Sequence, residues 1–436
     1  NVTRYRANSA SDGLTLFKET PVNKRHVSQQ PSAGLWPLIA LASLILMITM
    51  GVRQTVGLFV HPIVHSTTMS IAEVSMALAI GQLMWGAFQP LFGAWADKRG
   101  AFNVLVIGAI LIALGQLGTL WASSFLPLTL AQGLLSPAGA AAGSFSVLIG
   151  IVAGRLPSDK GSVASGMINA GGSMGQFIFA PLIQLIVSLR GVAAGLVFLA
   201  LAALSTIIPS WFLCRKSEKP SPTLAQPAQS DDPGLKQQIR AAFRHPSYLL
   251  LHAGFLTCGF HVAFLTTHLP SEVSLCGHDA SVSAISLSLI GLCNIAGSIF
   301  AGFLGKRFPM KYILAVLYAS RAILIIAFLL SSKTPMAFYL FACAIGLTWL
   351  ATVPPTAGIV GKLFGTRYLA TLFGFTLFSH QVGAFFGAWL GGLAMEYAGN
   401  LDWVWYADIA LALLAALINL PIQEKNTAVP LKPTRA

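Results

Sequence analysis

The chain has 436 residues, of which 55% are hydrophobic and only 9% charged, with a formal net charge of +13 and a mean hydropathy of +0.72. A soluble chain of this length could not cover its surface with so few charges, so composition excludes a water-soluble globular protein. The basic excess is accounted for by membrane topology, and nucleic acid is not an expected partner.

Residues 1–34 are polar and lack an apolar h-region, so no cleavable signal peptide is expected there. They read as a cytoplasmic N-tail without assigned structure. Apolar runs long enough to cross about 30 Å of hydrocarbon then recur to the end of the chain. Twelve are counted, at about 36–64, 71–95, 102–122, 125–154, 161–188, 191–214, 247–271, 280–304, 312–331, 335–361, 368–397 and 402–421. The expected fold class is an all-α membrane protein of twelve transmembrane helices.

Span 1 holds an arginine, Arg53, in the stretch MITMGVRQTVGLFVHPI. It lies about 25 Å from the start of the span at 1.5 Å per residue. Span 2 ends in GAWADKRGAFNV, and glycines cluster in spans 4, 5 and 11. After span 6, the stretch 215–246 is rich in Pro, Ser and charge and reads as a cytoplasmic linker whose second part forms a short surface helix. The chain is thus divided into an N-terminal half (35–214), the linker (215–246), a C-terminal half (247–421) and a C-tail (422–436). Span 10 contains TVPPT (352–356), where proline should kink the helix.

A shift of about 208 residues brings the halves into register: Gly51 meets Gly259, Pro62 meets Pro270, and Gly166 and Gly175 meet Gly374 and Gly383. Two six-helix pseudo-symmetric halves follow, with a substrate site expected near the midplane between them. Of 27 Lys and Arg residues, 23 fall in the tails and the even-to-odd loops, which puts both termini in the cytoplasm. Of the five cysteines, none forms a C-x-x-C pair, and no histidine cluster has metal-ligand spacing. P-loop, nucleophile-elbow and dinucleotide motifs are absent, so neither an enzyme nor a cofactor or metal is expected.

The chain resembles the major facilitator superfamily of transporters. GAWADKRGAFNV is similar to that family's G-x-x-x-D-R-x-G-R-R loop: Gly93, Asp97 and Gly100 match, Lys98 replaces the first arginine, and Ala101 departs where a second basic residue is usual. The resemblance implies that Gly93, Asp97, Lys98 and Gly100 form a cytoplasmic gate, and that spans 1, 4, 7 and 10 surround a central cavity. Span 1, with G-x-R-x-x-x-G-x-F-x-x-P-I, resembles bacterial members of the monocarboxylate-porter branch. Best-known members of that branch carry an Asp and an Arg four residues apart on span 8, where this chain offers only Asn294 and Ser298. Their proton-coupling scheme cannot be carried over.

The 208-residue shift places His261 opposite Arg53, so the two are expected to face the cavity from related positions. His380 and Gln381 lie midway along span 11, and Arg321 midway along span 9. All fourteen Asp and Glu residues fall in tails, loops or span ends; neither Glu73 nor Asp408 is expected as a midplane partner. A buried arginine requires a countercharge, and a guanidinium fork matches a carboxylate. Arg53 is therefore expected to bind a small organic anion, with His261, Arg321, His380, Gln381, Asn169 and Asn294 as further substrate-binding candidates. The alternatives for Arg53 are snorkelling or bonding to carbonyls of a kinked helix; for Arg321, bracing against carbonyls or Tyr318. His261 and His380 are the proton-coupling candidates.

The function expected is secondary active transport of a small anion, a monocarboxylate before others, by alternating access with proton symport or anion exchange. A bacterial inner membrane is the expected location and a monomer the expected state. Rival readings are an exporter of larger amphipathic compounds, such as drugs or siderophores, and a non-transporting receptor on the same fold.

Overall fold

The computed structural model describes residues 35–153, 161–215, 235–305, 307–365 and 369–424. The N-tail, most of the linker and the C-tail beyond Glu424 lie outside the described residues. Among the described residues every regular element is helical. Eleven helical rods are long and apolar enough to cross a membrane: Trp36–Ser66, Ile71–Gly93, Ala101–Thr119, Phe125–Val152, Gly166–Arg190, Val192–Arg215, Pro246–Leu275, Ala280–Leu304, Met310–Leu329, Pro335–Phe364 and Asp402–Asn419. A further helix, Leu369–Ala398, has 30 residues and therefore the length, but its apolarity is diluted by Ser379, His380 and Gln381 at mid-helix. These are spans 1–12 in chain order, with Leu369–Ala398 as span 11. Before span 7, the expected surface helix of the linker runs Leu235–Ala242.

Local chemistry sets the ends of the rods. Span 2 starts at a capping box: Glu73 N donates to Ser70 Oγ (3.2 Å) and Ser70 N to Glu73 Oε2 (2.9 Å). Its helix stops at Gly100, whose φ of +89° suits a residue without a Cβ. Span 8 starts at Asp279, which accepts from Ser281 N at 2.7 Å; that bond holds the carboxyl below its usual range.

Four spans are broken inside the bundle, span 6 only briefly, at Thr206. Span 1 runs helical to Gln54, makes a 3₁₀ turn over Val56–Phe59 and resumes at Val60. At the break Thr55 Oγ1 donates to the carbonyls of Gly51 (3.0 Å) and Val52 (3.1 Å), so a side chain serves oxygens that the helix leaves unpaired. Span 4 has a π-helical turn over Thr129–Leu135 ahead of Pro137, and is interrupted again at Gly143 and Ser144. Span 10 ends its first helix at Thr348 and restarts at Val353, where Pro354 and Pro355 supply no N–H to the preceding turn. The interruptions of spans 4 and 10 fall at positions related by the 208-residue shift, since 143 + 208 = 351.

The repeat also governs close packing. Gly175 lies against the backbone of span 1 at Met47 and Gly51, and its counterpart Gly383 lies against the backbone of span 7 at Leu256 and Phe260. The two halves meet along spans 5 and 8 and along spans 2 and 11. In the first seam Asn294 Nδ2 donates to Ser173 Oγ (2.9 Å), and Ser288 Oγ to the Phe177 carbonyl (2.7 Å). In the second, Gly86 packs on the Gln381 side chain and Gly392 on Ser75.

The start of span 1 and the end of span 12 lie on one side, called terminal here, with the end of span 6 and the start of span 7: Ile39 and Leu213 share a core cluster, and Gln423 N donates to Ser247 Oγ at 3.0 Å. On the opposite, far side the halves are drawn together. There Gly57 packs on the Thr266 carbonyl, His61 Nε2 and Ser271 Oγ are 3.1 Å apart, and Ala72 N donates to Glu396 Oε2 at 3.0 Å. Towards the terminal side the picture reverses. At Gly93, Gly150, Gly166, Gly302 and Gly374 an added Cβ would meet no described atom within 4 Å. Among the described residues the hydrogen-bonded and glycine contacts between the halves at the membrane edges therefore lie on the far side.

Gly383→Ala should lower the melting temperature of the detergent-purified protein by several degrees, since overpacking against backbone costs about 1–3 kcal/mol. Gly374→Ala, on the terminal side of the same span, should leave it within a degree of the parent.

Candidate functional site

Arg53 sits in the last turn of the first helix of span 1, immediately before the break. That position is the partial-negative end of the helix, which favours a cation. Its Nη2 donates to Gln82 Oε1 of span 2, and its Cζ lies 4.0 Å over the Trp85 ring. Gln82 and Trp85 are three residues apart, so they present on one face of span 2. No carboxylate pairs with Arg53 among the described residues. Glu73, the nearest acid in sequence, is engaged in the cap of its own helix.

Arg53 borders a narrow cavity of about 30 Å³ within the N-terminal half, lined also by Gln82, Gln116, Gln132 and Ser136. Three of these residues are linked: Gln116 Nε2 donates to Ser136 Oγ (2.9 Å), and Gln132 Nε2 to Thr119 Oγ1 (2.8 Å) and to Gln116 Oε1 (3.3 Å). A cavity of that size takes a water molecule but not a carboxylic acid, so an anion reaches the guanidinium only by displacing Gln82.

The expected pairing of Arg53 and His261 across a shared cavity is corrected. His261 faces the interior of the C-terminal half, where its Nδ1 lies 2.6 Å from Asp408 Oδ2. Both side chains are almost wholly buried, at 3% and 1% exposed. The expectation that the spans hold no embedded carboxylate is overturned with it. Asp408 is the seventh residue of the helix Asp402–Asn419, about 9 Å inside its end at 1.5 Å per residue. Glu272 is buried as well, held by Lys333 Nζ and by Trp405 Nε1 at 3.1 Å.

Arg321 is also placed away from the Arg53 cavity. Its Nη2 donates to the carbonyls of Thr348 and Trp349, its Nη1 lies 3.3 Å from Cys258 Sγ, and its Cζ stands 5.2 Å from the Tyr318 ring centre. The guanidinium thus caps the end of the first helix of span 10, which the proline pair leaves open. This is the bracing alternative of the sequence reading. Asn294 serves the same break: its Oδ1 accepts from Leu350 N at 2.9 Å while its amide nitrogen crosses to Ser173.

Span 11 brings Gln381 across the seam onto Gly86, one turn from Gln82 and beside Trp85. Its Nε2 is 3.1 Å from Nδ1 of His380, whose ring packs 4.9 Å from that of Phe255. Asn169 is half-buried on span 5, one turn before Ser173. In the expected gate Gly100 makes the turn after span 2 and Gly93 faces open space; the side chains of Asp97 and Lys98 lie outside the described residues.

Comparison with known proteins gives a consistent picture. The family profile described as Major Facilitator Superfamily matches residues 41–388. Monocarboxylate transporter 13 of Bos taurus is 25% identical over 400 residues, covering 90% of this chain and 91% of its own length. The oxalate:formate antiporter of Oxalobacter formigenes is 26% identical over 379 residues, covering 84% and 86%. Among solved structures, a bacterial homolog to the human lysosomal transporter Spinster superposes with a TM-score of 0.71 at 16% identity, over 89% of this chain and 97% of that one. A D-xylose-proton symporter does so at 0.69 and 12%, over 90% and 99%.

Arg321→Met should lower thermal stability by about 2–4 kcal/mol, because a fully buried charge-assisted cap is lost from two carbonyls. Arg321→Lys should recover only part of it, since an ammonium does not offer the planar fork.

Proposed function

From the premise that the chain belongs to the Major Facilitator Superfamily, we propose that this membrane transporter carries a small organic anion, a monocarboxylate before others. The observation that carries the reading is the unpaired charge of Arg53: a guanidinium at mid-span whose partners are a neutral amide and an indole ring. Gln82 Oε1 occupies the place of one carboxylate oxygen. A carboxylate there exchanges a neutral acceptor for a charged one, and charge-assisted bonds are roughly twice as strong. The linked amides of Gln116 and Gln132 lie beside it and offer hydrogen bonds to an oxo or hydroxy group on the same cargo. The narrowness of the cavity favours a cargo of a few heavy atoms over a bulky amphipathic one.

Relatives named as a monocarboxylate transporter and an oxalate:formate antiporter support the anion class. They leave two coupling modes, proton symport and exchange of one anion for another. Alternating access is the mechanism: residues 35–214 and 247–421 rock about their seams. The asymmetry of basic residues supports a cytoplasmic terminal side, with Gly93, Asp97, Lys98 and Gly100 at its gate.

In proteoliposomes, Arg53→Ala and Arg53→Lys should each cut counterflow of labelled lactate, pyruvate or formate at least tenfold, equivalent to about 1.4 kcal/mol. Gln82→Glu should do the same by a different route, since it installs a resident carboxylate on the guanidinium. Its melting temperature should stand at or above the parent's. Counterflow at parental rates in the Arg53 variants would refute the reading.

A further inference from the structure

We infer that the buried His261–Asp408 pair is the proton-binding site of this transporter, and that it reports its occupancy to the break in span 10. The inference deepens the proposed function by choosing proton symport, and it rests on that reading only for the identity of the cargo.

The pair is closed off from solvent and joined at 2.6 Å between spans 7 and 12. With one proton more than a neutral imidazole and a carboxylate the pair is uncharged, whichever side chain holds that proton. Without it, Asp408 is an anion that accepts from Nδ1–H of the neutral imidazole, and the pair carries one uncompensated negative charge in a low-dielectric interior. The other ring nitrogen, His261 Nε2, is buried and has no hydrogen-bond partner among the described residues. The imidazole therefore has a second position for a proton and no acceptor that fixes it there. Water or a cation can relieve the negative charge only where the packing around the pair parts.

What surrounds the pair ties it to the break in span 10. The ring of His261 stands edge-on to Trp349, centre to centre 5.6 Å. Trp349 opens the interruption of span 10, and its carbonyl is one of the two that hold Arg321. Of the titratable and charged groups on the packed elements, Cys258 on span 7 and Arg321 on span 9 touch the Trp349 turn, with Tyr318 against Arg321; His252, His268 and Glu272 on span 7 and His380 on span 11 have partners elsewhere, and Tyr406 on span 12 is exposed. Among them Arg321 carries a permanent charge, and it is bound to the same turn that Trp349 occupies. The charge of the pair therefore reaches the break through two contacts, the Trp349 ring against His261 and the Trp349 carbonyl on the guanidinium. Glu272 is already neutralised by Lys333 and carries no such uncompensated charge.

The test is made in liposomes with purified full-length protein. Uphill uptake of labelled lactate, pyruvate or formate is driven by an alkaline interior, and counterflow is measured with no pH gradient. Asp408→Asn should reduce the ratio of proton-driven uptake to counterflow at least tenfold, with His261→Gln doing likewise where the first variant does not fold. Infrared difference spectra of the cargo-free protein between acid and alkaline buffer should show a carboxyl or carboxylate band that Asp408→Asn removes. A ratio within twofold of the parent's, or a parent that exchanges anions but neither accumulates them on a pH gradient nor shows that band, overturns the inference. Either result leaves the Arg53 reading standing. That reading fails separately, when no short carboxylate is exchanged at all.

Discussion

Hydrocarbon supplies no counter-ion, so a fixed cation inside this bundle must take its negative charge from the protein's own dipoles. Both embedded arginines stand at the partial-negative end of a helix. Arg53 stands in the final turn of the helix ending at Gln54, and Arg321 forks onto the carbonyls that end the helix at Thr348. Each lies where a transmembrane rod is interrupted, because only an interrupted rod presents free carbonyls at that depth. At span 10 the break and the cation are one device, since Arg321 takes the carbonyls that the break frees. At span 1 the carbonyls of Gly51 and Val52 go to Thr55 Oγ1, and Arg53 takes Gln82 and Trp85 instead.

The two arginines differ in what else holds them. Arg321 is fixed by main-chain oxygens, which cannot be exchanged without unfolding the turn, and it serves stability. Arg53 leans on an amide and an indole, which move by rotation about side-chain bonds. A charge so held is tied to the scaffold yet open to a better partner, and that distinction separates a structural ion from a binding one. The two halves accordingly take different tasks. The N-terminal half presents the cation and a set of amides, while the C-terminal half holds the acid–imidazole pair and the braced break.

Much of this was legible in the sequence. Apolar run length placed the rods to within a few residues, TVPPT marked the interruption in span 10, and the shared offset of glycines foretold that Gly175 and Gly383 pack in equivalent ways. The isolated charge of Arg53 was visible because arginine in an apolar run is costly wherever it points. Asp408 was dismissed as a residue near a span end, although an acid seven residues into an apolar helix carries the same signal. What misled was the symmetry: it put His261 opposite Arg53, whereas side-chain direction, which a repeat does not specify, turns the imidazole towards span 12. Trp85 was missed because an aromatic three residues from Gln82 is indistinguishable from lipid-facing packing until the partner across the groove is known.

The five helical glycines without neighbours on the terminal side carry a consequence for how such a protein responds to change. In the state described here a methyl group at any of them would meet no described atom. The tolerance of these positions is thus a property of one arrangement of the helices, and any rearrangement that brings another helix against them would turn the same methyl group into an obstacle.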